Sequence, residues 1–241
     1  MLIETPASGL VLVDTGFGSQ DIADPNGRIG RAFVTLTQPS LDPQQIALAQ
    51  VTALGYSARD VRHVVLTHMD LDHAGGLGDF ADAQVHVMSA ELDAAVRRPS
   101  FKEKNRYKPA QWAHGPKWEP HDPSAGERWF GFGCVRDMVG LPPEILMIPL
   151  AGHSRGHAAV AVESAGEWNL HCGDAYFHHR ELDAQYSCPA GLKHFQRIVA
   201  TDRRAQRENL DRLRQLRAKE AGAVRLFCAH DPEEFARAQE A

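Results

Sequence analysis

The sequence predicts a layered α/β domain, and three observations carry that expectation. Short apolar runs with strand character alternate with helical segments along the chain. Several of those runs end directly on an Asp or a His. At 241 residues, 43% of them hydrophobic and 24% charged, the chain has the length and composition of a globular protein with a sizeable core.

The elements follow in order. "LIET" and "LVLVDTG" read as the strands of a hairpin, with "PASG" as its turn. A strand that begins two residues into the chain predicts a further strand upstream. "DPQQIALAQVTALGYSARD" reads as a helix, with Ile46, Leu48, Ala49, Val51 and Leu54 at helical spacing and Gly55 as its stop. "VRHVVLT" and "AQVHVMSA" are strands, and a helix follows over Glu91 to Arg98. Residues 99 to 145 lack periodicity and hold Tyr107, Trp112, Trp118 and Trp129, which predicts an insertion of loops and short helices. "EILMIPL", "HAAVAVES", "EWNLHCGD" and "AVRLFCAHD" return to strand character. Between the last two lies a long helix, capped by Thr201 or Asp202, with Leu210, Leu213 and Leu216 on one face and Gly222 at its close. Repeats, low-complexity tracts and linkers are absent, so one domain over residues 1–241 is expected.

Composition excludes several classes. A net charge of −5 gives no basic field for nucleic acid. No run approaches the roughly 18 apolar residues of a membrane span. The N-terminus lacks the basic and apolar regions of a signal peptide, so a cytoplasmic location is expected. Cys134, Cys172, Cys188 and Cys228 show no CxxC spacing; Cys172 and Cys228 read as buried, inert thiols.

Chemistry concentrates at the strand ends. Asp14 follows "LVLV", His68 to His73 follow "VVLT", His153 follows "ILMIPLAG", Asp174 follows "NLHCG" and His230 follows "RLFCA". Loops at one edge of a sheet are where sites of α/β proteins collect. In "HMDLDH", His68 and Asp70 are two residues apart and can face one ion, while Asp72 and His73 turn toward a second. The "AGG" that follows lets the backbone pass closely. Imidazole with carboxylate suits Zn²⁺, Fe or Mn²⁺ without any thiolate.

"LVDTGFG", "THMDLDHAGGL", "GHSRGH", "GDAYF" and "CAHDP" together resemble the metallo-β-lactamase-fold hydrolases, closest in pattern to the lactonase-like group. The resemblance runs from about Leu10 to Asp231 and weakens at 99–145. It implies a four-layer αββα sandwich and two divalent metal ions, Zn²⁺ foremost, with Fe or Mn also compatible. His68, Asp70 and His153 would hold the first ion; Asp72, His73 and His230 the second. Asp174 would bridge them, with Asp14 a supporting residue beside the site. Where this sequence has Asp70, hydrolytic members usually have His, and the flavodiiron branch has Glu.

The implied reaction is hydrolysis of an ester-type bond in a small molecule by a metal-bridging hydroxide, a lactone being favoured. Asp72 would carry a proton to the leaving group. Tyr176 would polarise the substrate carbonyl, although it stands two positions after Asp174 where lactonases have a Tyr three after. His157 would orient a ligand or support its loop, and His178 and His179 read as a solvent-facing turn. The alternatives are a thioester or phosphodiester hydrolase of the same fold, and a flavodiiron-like redox protein. The stretch from Arg97 to His121 carries seven Lys or Arg against two Glu. It reads as a lid over an anionic or apolar-tailed substrate, a contact between two copies of the chain, or a solvated loop.

Overall fold

A computed structural model describes residues 1–123, 127–183, 185–186 and 188–239. The chain divides into two compact units, Met1–Pro120 and His121–Ala241.

In the first unit, β1 (Leu2–Thr5) and β2 (Gly9–Val13) form the predicted hairpin, antiparallel with Leu2 opposite Leu12. β2 then runs parallel to β3 (Val61–Val65), and β3 parallel to β4 (Gln84–Met88). β5 (Lys117–His121) completes the sheet in the order β1-β2-β3-β4-β5. β2 is an unbroken apolar run, and β3 and β4 are mostly buried, as suits parallel strands covered on both faces. Leu10 to Val13 and Val61, Val64 and Val65 are all buried, and Leu10, Leu12, Val61 and Val64 pack with Leu66, Phe80 and Val85.

The helices of this unit are short: α1 (Ser19–Ala23), α2 (Arg31–Thr37), α3 (Ala47–Ala53), α4 (Ser89–Arg97) and α5 (Phe101–Arg106). The helix expected from residue 42 onward shrinks to α3, which buries only Val51. One buried side chain gives little packing to sustain a longer helix. Gly55, in the left-handed region at φ 89°, turns the chain just beyond it. Tyr107 is fully buried, and Trp112 and Trp118 pack against the same core, so these rings serve the interior of the unit.

In the second unit, β6 (Arg128–Trp129) and β7 (Phe132–Gly133) form a small hairpin. With β5 they put strands into a segment expected to hold only loops and short helices. β8 (Ile145–Pro149), β9 (Ala158–Ser164), β10 (Glu167–His171) and β11 (Val224–Phe227) form a sheet in the order β11-β10-β9-β8. β9 is antiparallel to both β8 and β10, while β10 and β11 are parallel. β8, β10 and β11 therefore point the same way, and their C-terminal ends share one edge.

Three helices complete this unit: α6 (Ala190–Val199), α7 (Arg203–Lys219) and α8 (Pro232–Gln239). α7 is the predicted long helix. Asp202 caps it, accepting the N–H of Arg204 and Ala205 at 2.9 and 3.0 Å. Leu213 and Leu216 are buried against Leu146, Leu170 and Val224, and Leu210 packs beside them. The helix ends at Lys219, short of Gly222. α6 and α8 were not expected; the exposed Phe195, Ile198 and Phe235 blur their apolar faces in the sequence. Cys172 and Cys228 are buried free thiols, as expected. Among the described residues no helix is long and apolar enough to cross a membrane.

Candidate metal centre

In the first unit the site is built on the adjacent, parallel ends of β2 and β3. Asp14 follows β2 with a left-handed backbone, φ 55°, which turns its carboxylate toward the next strand end. Its Oδ1 accepts the Thr67 N–H at 2.8 Å, and its Oδ2 accepts the Thr67 hydroxyl at 2.7 Å. The same Oδ2 accepts Nδ1–H of His73 at 2.9 Å. Thr67 spends its one proton on Asp14, so its oxygen accepts from Nδ1 of His68 at 3.0 Å. Both imidazoles thus carry their proton on Nδ1 and present Nε2 as a lone-pair donor. Their ring centroids lie 4.0 Å apart.

The glycines after the motif are required by closeness. A Cβ on Gly76 would stand 2.7 Å from the Thr15 carbonyl oxygen, and one on Gly75 2.8 Å from that of Gly16. The Thr15 backbone and hydroxyl both donate to the His73 carbonyl, which ties this loop to β2.

Asp70 divides its two oxygens. Oδ2 lies 3.5 Å from Nε2 of His68, while Oδ1 forms an ion pair with Arg106, 3.1 Å from its Nε. Two ligands about 2.1 Å from one tetrahedral ion stand roughly 3.4 Å apart, so the His68–Asp70 separation fits a shared cation. Around them, Glu91, wholly buried, accepts the Met69 N–H at 3.0 Å and the Tyr107 hydroxyl at 3.1 Å. Gln111 donates to the Leu71 carbonyl at 2.8 Å and to Asp21 at 3.0 Å. Arg106, Tyr107 and Gln111 come from the segment beyond α4 in which the sequence showed only basic and aromatic character. No motif marks them; buried partners for a charged turn were the signal to look for.

In the second unit the same pattern recurs on the shared edge of β8, β10 and β11. Asp174 directs Oδ2 at Nε2 of His153, 3.5 Å away, and Oδ1 at Nε2 of His230, 3.2 Å away. His153 sits on a loop held by the start of α7: the N–H groups of Thr201 and Asp202 donate to the Gly152 carbonyl at 2.9 and 2.8 Å. His157 is a support for this loop. Its Nε2 accepts the Asp174 N–H at 2.9 Å, leaving Nδ1–H to donate to the Leu150 carbonyl at 3.1 Å. The ring of Phe177 stacks parallel on His230, with centroids 5.4 Å apart.

Tyr176, expected to face substrate, is buried in the apolar cluster, and its hydroxyl donates to Glu234 at 3.0 Å. Burial, then the nearby Cys172 and Glu234, raises its pKa well above the ordinary phenol value. Glu234 also accepts the Cys228 N–H at 2.8 Å, and burial raises its carboxyl. Asp231 caps α8 and takes both the N–H and Nδ1–H of His179. Burial alone would raise the Asp231 carboxyl, but these donors hold it at about 2. His178, His179 and Asp231 have donor atoms close enough for a metal ion. However, Asp231 is spent on the cap, the two rings are stacked, and Nδ1 of His178 accepts the Arg180 N–H. This cluster is a turn that anchors α8, rather than a simple solvent-facing one.

Comparison with known proteins gives a consistent picture. The sequence profile of the metallo-β-lactamase superfamily matches residues 1–230. A probable metallo-hydrolase of Mycobacterium tuberculosis is 42% identical over 240 residues, which is 100% of this chain and 76% of the relative. N-acyl homoserine lactonase AttM of Agrobacterium fabrum is 36% identical over 94 residues, 39% of this chain and 35% of that one. Among solved structures, a variant of Bacillus thuringiensis AiiA with N-decanoyl-L-homoserine at its active site superposes with a TM-score of 0.68 at 21% identity. It covers 98% of this chain and 82% of its own. AidC, a dizinc lactonase, gives 0.61 at 17% identity, over 96% and 71% of the two chains. At these identities the likeness shows the fold, which is the one that the sequence motifs imply.

Proposed function

The chain belongs to the metallo-β-lactamase superfamily as a metal-dependent hydrolase, and we propose that it opens the ester bond of a small lactone at a two-metal centre. One observation carries the reading: a single carboxylate, Asp174, aims its two oxygens at two different histidine nitrogens, 3.5 and 3.2 Å away. A carboxylate so placed suits a bridge between two cations. The ligands assigned are His68, Asp70 and His153 for the first ion and Asp72, His73 and His230 for the second. All are imidazole or carboxylate, the set that Zn²⁺ accepts and that Fe and Mn²⁺ tolerate; Zn²⁺ is the ion proposed.

When bound, two such ions supply an acidified water near neutral pH and polarise an acyl oxygen. The protein's own part is orientation and proton handling. Asp14 and Thr67 hold the Nδ1 protons of His73 and His68, which keeps both Nε2 atoms available for coordination. His157 fixes the backbone of Asp174. Asp72 keeps one carboxylate oxygen for a proton and delivers it to the departing alcohol. Tyr176, committed to Glu234, is given no part in catalysis. The lactone is favoured because two kinds of relative point to it, the sequence match to AttM and the fold match to AiiA with an acyl-homoserine bound.

The test is metal quantification followed by one screen of lactones, thioesters and phosphodiesters on the same preparation. Two equivalents of metal with lactone turnover is the expected result. Turnover confined to phosphodiesters overturns the lactone assignment, and iron without hydrolysis overturns the hydrolase. Asp72→Asn should retain both ions and lose turnover by 10²-fold or more, the order of general acid–base catalysis.

A further inference from the structure

Asp70 is a negatively charged donor in a buried motif, and its surroundings are built to manage that charge. Its side chain is 17% exposed, and the guanidinium that meets its Oδ1 belongs to a side chain only 7% exposed. Arg106 is the last residue of α5, a helix fixed at its start by a reciprocal cap between Ser100 and Glu103. The next residue, Tyr107, is buried and donates to Glu91, which in turn holds the Met69 N–H. Arg106 therefore meets Asp70 directly, while its neighbour Tyr107 reaches Met69 through Glu91. That arrangement sets Arg106 apart from an exposed arginine that happens to reach a carboxylate.

Resting on the two-metal reading above, we infer that Arg106 is a positioning residue that makes Asp70 a single-atom, charge-compensated donor and so biases the first ion toward Zn²⁺ over Mn²⁺. Unrestrained, a carboxylate offers two oxygens and a full negative charge, which suits harder ions that take more oxygen ligands. With Oδ1 held in the ion pair with Arg106, Oδ2 is the oxygen that faces Nε2 of His68. The pair is formally neutral and gives one donor atom, as an imidazole does.

The test is direct competition. Metal-free wild type and Arg106→Met are each equilibrated with equimolar Zn²⁺ and Mn²⁺, and bound metal is measured after gel filtration. The Zn²⁺:Mn²⁺ ratio should fall about 10-fold or more in Arg106→Met, the order seen when a partner of a metal ligand is removed. Arg106→Lys keeps the charge without the planar guanidinium and should lie between the two. It also serves if Arg106→Met does not fold. Adding Asp70→His to Arg106→Met supplies a neutral single-atom donor and should restore the zinc preference. Equal ratios in wild type, Arg106→Met and Arg106→Lys, or a double variant no better than Arg106→Met, overturn the inference while leaving the metal centre standing. A wild type that binds neither ion overturns the two-metal reading itself.

Discussion

The two units hold their proposed metal ligands by different means. In the first, His68, Asp70, Asp72 and His73 come from one six-residue stretch, and their supports are polar side chains reaching that stretch directly: Asp14, Thr67, Arg106 and Glu91. In the second, His153, Asp174 and His230 come from three separate strand ends. Their supports are elements of the fold itself, namely the start of α7, the His157 bridge between two loops, and the Asp231 cap of α8. A contiguous motif leaves its ligands to be tuned by a few side chains. A dispersed set makes ligand geometry inseparable from folding.

That contrast can be broken by experiment. The largest effect should come from His157→Ala, which strands the Asp174 N–H and the Leu150 carbonyl in a buried site, at roughly 1–3 kcal/mol each. Thermal melting of the metal-free protein should show a drop of roughly 5–15 °C. Asp14→Asn comes next and should act on the ligands more than on the fold. Its amide cannot accept everything that Asp14 accepts, so metal affinity measured by chelator competition should fall about 10- to 100-fold, with a smaller melting shift than His157→Ala. The reverse order of melting shifts would erase the distinction between the units.

Asp202→Ala should cost about 1 kcal/mol through the lost cap of α7. Because the start of α7 holds the His153 loop, weaker metal binding should accompany that loss. An unchanged affinity would show that the loop does not depend on the helix. The smallest effect concerns the first unit's interior, where His63 and His86 meet at 2.9 Å. Burial, then the nearby Arg62, lowers the pKa of His63, so the unfolded chain takes up its proton first as pH falls. The stabilisation is therefore present above about pH 6.5, the ordinary His value, and is lost as pH falls below it. Urea midpoints across that window should fall less steeply for His63→Gln, which does not titrate.

How much was legible in the sequence follows the same division. "HMDLDH" declares itself because its donors are neighbours in the chain. His153, Asp174 and His230 were readable because each stands where an apolar run stops. Arg106 and Glu91 were not, since nothing in a basic segment or an ordinary helix says which carboxylate or N–H it will meet. Tyr176 shows the opposite failure: a place two residues from Asp174 suggested the site, but the chain turns its ring inward to Glu234 of α8. α8 was itself unreadable, so the partner that decides the orientation of Tyr176 was hidden. Among the helices, α7 was legible through its long leucine face and Asp202, while the shorter α6 and α8 leave large apolar side chains in solvent.

One consequence follows from Asp14 serving two imidazoles at once. The proton positions of His68 and His73 are set through the same carboxylate, one directly and one through Thr67. Neither ring can be retuned alone, because a change that suits one rewrites the instructions to the other. Asp70 stands outside that shared circuit and takes its orders from Arg106. An engineer, or a lineage exploring new metals, would thus find one dial that turns freely beside two that are locked together.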